Sequence, residues 1–123
     1  MTKYLLIIIF LISAAADAGA QYKIDVRKAL VGTIVMGYAV DSLQDGIAFT
    51  KSPKGQDLRT LWHSAKYAHI ALTLATGALN VISINRYGWK QTLLYDAVGF
   101  VIGFLVWKYS YPLWRSVDWP EGA

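Results

Sequence analysis

Cysteine is absent from the 123 residues, which excludes disulfides, thiolate metal sites, thiol nucleophiles and a lipoprotein anchor. Charge is scarce too: Asp, Glu, Lys and Arg make up 16% of the chain, against roughly 25% in ordinary soluble domains. Histidine occurs only twice, at His63 and His69. That six-residue step puts the rings on different faces of a helix, unlike the i,i+4 pair of zinc helices. No G-x-S-x-G elbow, ordered triad or phosphate-cradling glycine loop is present. No catalytic constellation, cofactor or metal site can be nominated from such a chain, and enzyme activity ranks last among the readings. The twelve Lys and Arg residues give a net charge of +4, but they are scattered at segment ends and accompany no nucleic-acid motif. Nucleic acid is therefore not an expected partner.

What fills the chain is apolar. Hydrophobic residues reach 55% and aromatic residues 14%, a balance that suits membrane helices with Trp and Tyr belts at their ends. Four stretches stand out, at 4–20, 29–49, 67–84 and 93–111. A helix rises about 1.5 Å per residue, so about 20 residues cross a hydrocarbon core of about 30 Å. The expected fold is all-α, a single domain over 1–123: an integral membrane helical bundle of four transmembrane helices with a short polar and aromatic tail at 112–123. The helix count falls to three if 1–20 is a cleaved signal peptide, whose parts are present in Thr2-Lys3, the apolar run and Ala18-Gly19-Ala20. The lipid bilayer is the partner this predicts directly.

Local signals punctuate the segments. Ser52-Pro53-Lys54-Gly55 reads as a turn and Asp57 as a helix N-cap. Asn85-Arg86-Tyr87-Gly88 reads as a helix stop, which makes the last two segments an antiparallel hairpin. Pro112 is expected to break the last helix. With the N-terminus inside, seven basic residues lie on the cytoplasmic side and five on the other, favouring an N-in, C-in orientation.

The third segment carries Lys66, His69, Thr73, Thr76, Asn80 and Ser83 at alternating steps of three and four. On a helix that spacing draws one polar seam, and polar groups in a membrane must face protein or trapped water. Counting depth from the segment ends brings Asp41, Gln44 and Asp45 to the level of His63, Lys66 and His69. Near the other face Asp96 reaches the level of Asn80 and Asp17. Asp and His exchange protons near neutral pH once their surroundings shift them, so one reading is a proton or ion path. The other is that these groups bind the helices together and reach headgroup water at the ends. Gly99 and Gly103 form G-x-x-x-G, which lets a helix approach closely; the third segment is the expected neighbour, and homodimerisation the alternative.

Two patches resemble bacterial VanZ-like membrane proteins and related small membrane families. One is Leu61-Trp62-His63-Ser64-Ala65-Lys66-Tyr67; the other is Arg86-Tyr87-Gly88 followed by Tyr95-Asp96-Ala97-Val98-Gly99 and Gly103. The resemblance implies a four-helix membrane bundle and nominates His63, Lys66, Arg86 and Asp96. The leading functional expectation is a non-enzymatic accessory or assembly component of a membrane, as a homo-oligomer or within a larger complex. A proton-, ion- or small-solute-transporting bundle is the alternative, and a holin-like pore former a third. A bacterial or phage-encoded inner membrane is the expected location.

Overall fold

The computed structural model describes residues 24–50 and 59–119, together with Leu6, Ile9 and Phe10, which are helical and exposed. The expected turn at 52–55, the Asp57 cap, Asp17 and the choice between a first helix and a signal peptide lie outside the described residues. The described architecture is all-α, with three long helices: α1 (Val26–Ala48), α2 (Arg59–Tyr87) and α3 (Trp89–Ser116).

Asp25 starts α1. Its side chain accepts the Arg27 backbone N–H at 3.0 Å, satisfying one of the free donors of the first turn. Gly88 separates α2 from α3 and is the whole connection. Its φ of 84° and ψ of 165° fall in a region open essentially to glycine. The stop expected at 85–88 is thus realised by a single residue.

One expectation about helix ends needs correction. α2 starts at Arg59, ahead of its apolar stretch, as a cap at Asp57 implies, while α3 runs past its apolar stretch to Ser116. Hydropathy reports side-chain transfer, whereas backbone hydrogen bonding continues a helix into aromatic and charged residues. For the same reason Pro112 sits inside α3 and does not break it. The missing N–H costs one bond near the end of the helix, and Ser116 Oγ donates to the Pro112 carbonyl at 2.9 Å.

The helix directions follow from contacts along α1. Thr33 meets Thr76 and Asp41 meets His69, so α1 and α2 are antiparallel. Ile34 lies on Gly99, Tyr38 on Gly103 and Gly46 on Trp114, so α1 and α3 are parallel. The chain therefore runs up, down and up, with α1 as the common neighbour, while α2 and α3 touch far less. Gly99 and Gly103 are both buried against α1, which corrects the expected pairing of that motif with α2. Periodicity identifies the close-packing face of a helix and says nothing about which neighbour occupies it.

The core is small. Val26, Leu30, Ile34 and Leu79 form its cluster, flanked by Ala29, Tyr38, Ile82 and Tyr87 near the Gly88 end. Ile47 and Ala65 are buried as well, but many large apolar side chains face outward. Val81, Leu93, Leu94, Phe100, Val101, Phe104 and Leu113 are all more than half exposed. Both α2 and α3 are long and apolar enough to cross a membrane, and only 11% and 17% of their apolar windows are buried. A core helix of a soluble protein would be mostly buried. α1 does not meet that length and hydropathy criterion among the described residues, because Arg27, Lys28, Asp41 and Asp45 interrupt it.

Candidate functional site

A hollow with polar groups in its walls lies along the α1–α2 contact. A groove of about 330 Å³ is walled by Thr33, Gly37, Tyr38 and Asp41 of α1, by His69, Thr73 and Thr76 of α2, and by Phe100 of α3. Three members of the α2 seam line it. At one end Thr76 Oγ1 donates to Thr33 Oγ1 at 3.0 Å, and Thr33 Oγ1 donates in turn to the Leu30 carbonyl. At the other end His69 Nδ1 stands 3.9 Å from Asp41 Oδ1, an ion pair when the ring is protonated. The Thr73 hydroxyl donates back to the His69 carbonyl at 2.9 Å. Gly37 has open space where a Cβ would stand, and that space widens the groove.

The expected polar clusters are assembled in part. Asp45 is half-buried and adds a second carboxyl to the Asp41–His69 end. The Trp107 indole is its neighbour, yet the indole nitrogen is buried without an acceptor in hydrogen-bond geometry. Gln44 is half-buried one residue away. Lys66 does not meet the carboxylates: it is exposed, with Nζ 5.3 Å from the Trp62 ring centre one turn back on its own helix. His63 is exposed as well, against Trp62 and Tyr67, with ring centres 5.1 and 6.4 Å away.

At the other level Asn80 and Asp96 come together as expected by depth. The Asn80 amide also donates to the Thr76 carbonyl, and Asp96 Oδ1 is buried without a partner. Ser83 ends the seam fully buried, sharing a 2.7 Å hydrogen bond with Thr92 of α3, whose hydroxyl also reaches the Gly88 carbonyl. Arg86 is exposed.

Two arginine clamps were not anticipated. Arg27 grips Asp25 through Nε and Nη2, both at 3.2 Å, and reaches Gln91 of α3 through Nη1 at 3.1 Å. Its guanidinium also lies over the Tyr87 and Tyr95 rings, 4.1 and 5.0 Å from their centres. The hydrogen bond from Arg27 holds the Asp25 carboxyl below the usual carboxylate range. At the far end Arg115 Nε donates to the Phe49 carbonyl at 2.9 Å, placing a cation at the negative end of α1. The Asp-x-Arg pattern before an apolar run was the available signal for the first clamp. The second joins residues 66 apart and had none.

Among the described residues no group of three or more His, Asp or Glu converges on a metal-sized site. Comparison with protein-family models, with curated proteins and with solved structures found no match. The VanZ-like resemblance therefore rests on its two patches alone.

Proposed function

We propose that the chain is an integral membrane helical bundle serving as a non-enzymatic component of a larger membrane assembly, with the α1–α2 groove as the face that its partner helix covers. One observation carries this reading. The groove holds polar groups that are left half open, beside helices that expose many large apolar side chains: His69 and Asp41 keep 38% and 33% of their side-chain surface exposed, and Thr73 is exposed beside them. Lipid offers no hydrogen bonds, so such groups call for protein or trapped water above them. The seven-to-five distribution of basic residues supports an N-in, C-in orientation for the bundle.

Cysteine scanning tests the reading, since the chain has no cysteine to remove. In native membranes a Thr73→Cys variant should cross-link to a second chain and resist lipid-dissolved maleimide. Val101→Cys, on the exposed face of α3, should label freely and form no such adduct. Equal labelling of the two positions would overturn the assembly reading.

The Asp41–His69 pair favours one further reading, a proton path along the same groove. Proteoliposomes of the wild-type chain should then carry a pH-driven proton flux that Asp41→Asn lowers by about a hundredfold or more, the scale of one lost general acid or base. A silent wild type removes this second reading and leaves the first intact.

A further inference from the structure

A second hollow, of about 480 Å³, lies between α1 and α3 and is lined by Lys28, Val31, Leu94, Tyr95 and Val98. Its walls are apolar and its charge sits at one end. On α1 Lys28 stands one turn before Val31. On α3 Lys90, Leu94 and Val98 follow one another at four-residue steps, so Lys90 stands one turn beyond Leu94 on the same face. Both lysines are exposed. Asp25 is within Coulombic reach of Lys28, but its oxygens are taken by Arg27. Asp96, the other carboxyl of this end among the described residues, is half-buried beside Asn80. The hollow thus has the Lys28 ammonium in its wall, with Lys90 one turn away on the α3 face, its Nζ 5.7 Å from the Trp89 ring centre, and among the described residues neither lysine has a carboxylate free of other partners.

Its depth fits that polarity. Lys28 is one residue beyond Arg27, whose bond to Gln91 marks where α1 and α3 begin. Val31 and Val98 lie one to two turns farther along their helices. Leu94 and Val98 remain 57% and 44% exposed, so the trough opens sideways, toward lipid in the membrane placement above. We propose that this hollow seats one anionic phospholipid, with its phosphate between Lys28 and Lys90 and an acyl chain along Val31, Leu94 and Val98. An amphiphile with one negative end matches a trough with one positive end.

The proposal rests on the membrane reading, and the experiment separates the two. Native mass spectrometry follows the full chain released from neutral detergent micelles holding equal amounts of dioleoyl phosphatidylglycerol and dioleoyl phosphatidylcholine. One phosphatidylglycerol should be retained in preference to phosphatidylcholine. Lys28→Gln and Lys90→Gln should each reduce that preference about fivefold. Leu94→Trp, which fills the trough and leaves the charges alone, should abolish retention of either lipid. Glycerol phosphate at the same concentration should displace nothing, because it has the phosphate and lacks the chain. Equal retention of the two lipids, wild-type preference in the double lysine variant, wild-type binding in Leu94→Trp, or displacement by glycerol phosphate would each overturn the site. Alkaline carbonate extraction of the same chain from membranes reads the underlying placement: release sinks the membrane reading, whereas retention alongside any of those four outcomes sinks the lipid site only.

Discussion

Arg27 does more with one side chain than any other described residue. It completes the α1 cap with Asp25, ties α1 to α3 through Gln91, and lies over rings from the end of α2 and the start of α3. A lysine keeps the charge and loses the planar fork, so Arg27→Lys should lower the melting temperature in detergent nearly as much as Arg27→Gln. A Lys variant that melts like wild type would reduce the clamp to a simple charge effect. The Asp25 carboxyl adds a pH dependence whose sign is fixed. Its proton affinity is depressed in the fold relative to its ordinary value of 3.8. The stability it contributes is therefore complete above that value and is lost as pH falls through the lower, folded-state one. Asp25→Asn still caps a helix but cannot titrate. The difference in melting temperature between wild type and this variant should be constant above about pH 5 and shrink as the medium is acidified below 3.8. The meeting of Asp41 with His69 was legible at this scale, because counting depth on antiparallel helices fixes which residues share a level. The position of Lys66 was not: a long flexible side chain chooses between a distant carboxylate and a Trp ring one turn away on its own helix, and spacing cannot rank the two.

At the scale of the elements, three glycines let α1 and α3 run side by side. A Cβ on Gly46 would overlap the Trp114 Cβ and stand 3.3 Å from the Arg115 backbone nitrogen, which cannot swing aside. On Gly103 it would meet the Tyr38 ring, 2.9 Å from Cγ, and on Gly99 the Ile34 side chain at 3.0 Å. Gly32 and Gly77 have nothing within 4 Å. Gly46→Ala should therefore destabilise the bundle by about 1–3 kcal/mol, the usual scale of overpacking. Gly77→Ala should be neutral or stabilising by up to about 1 kcal/mol, since alanine restricts the unfolded chain. Equilibrium unfolding in mixed micelles reads both; equal effects at Gly46 and Gly77 would mean that α1 and α3 are not in this register. The three helices were visible in the sequence as apolar runs, and the joint of α2 with α3 as a stop at 85–88, which the fold narrows to Gly88 alone. Their neighbours were not visible. The G-x-x-x-G face of α3 fits α1 or α2 equally well by pattern, and Gly46 has only Ser42 four residues before it, a small-residue spacing that names no neighbour. The choice is made by Ile34 and Tyr38, whose shapes fill Gly99 and Gly103 from the facing helix.

For the whole molecule, the clamps and the aromatic residues supply a ruler. Arg27 binds at the start of the α1–α3 pair and Arg115 at its end, on Phe49. The chain between Arg27 and Phe49 rises about 33 Å as a helix, close to the roughly 30 Å of a hydrocarbon core. Aromatic side chains gather at both levels: Tyr87, Trp89 and Tyr95 beside the first clamp, and the stacked pairs Trp107–Tyr111 and Trp114–Trp119 beside the second. This is the distribution that amphipathic rings adopt at the two faces of a bilayer. In such a placement the up, down and up course of α1, α2 and α3 puts Asn85 and Ser116 on opposite sides, about 46 Å apart along α3 and its joint. In sealed vesicles of one orientation, Asn85→Cys should react with a membrane-impermeant maleimide from one side only and Ser116→Cys from the other only. Leu105→Cys, 45% exposed on α3 between those levels, should react only with a lipid-soluble reagent. If Asn85→Cys and Ser116→Cys were modified from the same side, or if Leu105→Cys reacted freely with the impermeant reagent, α3 would not cross the bilayer. The groove would then open to water, where half-exposed Asp41 and His69 require no partner helix above them.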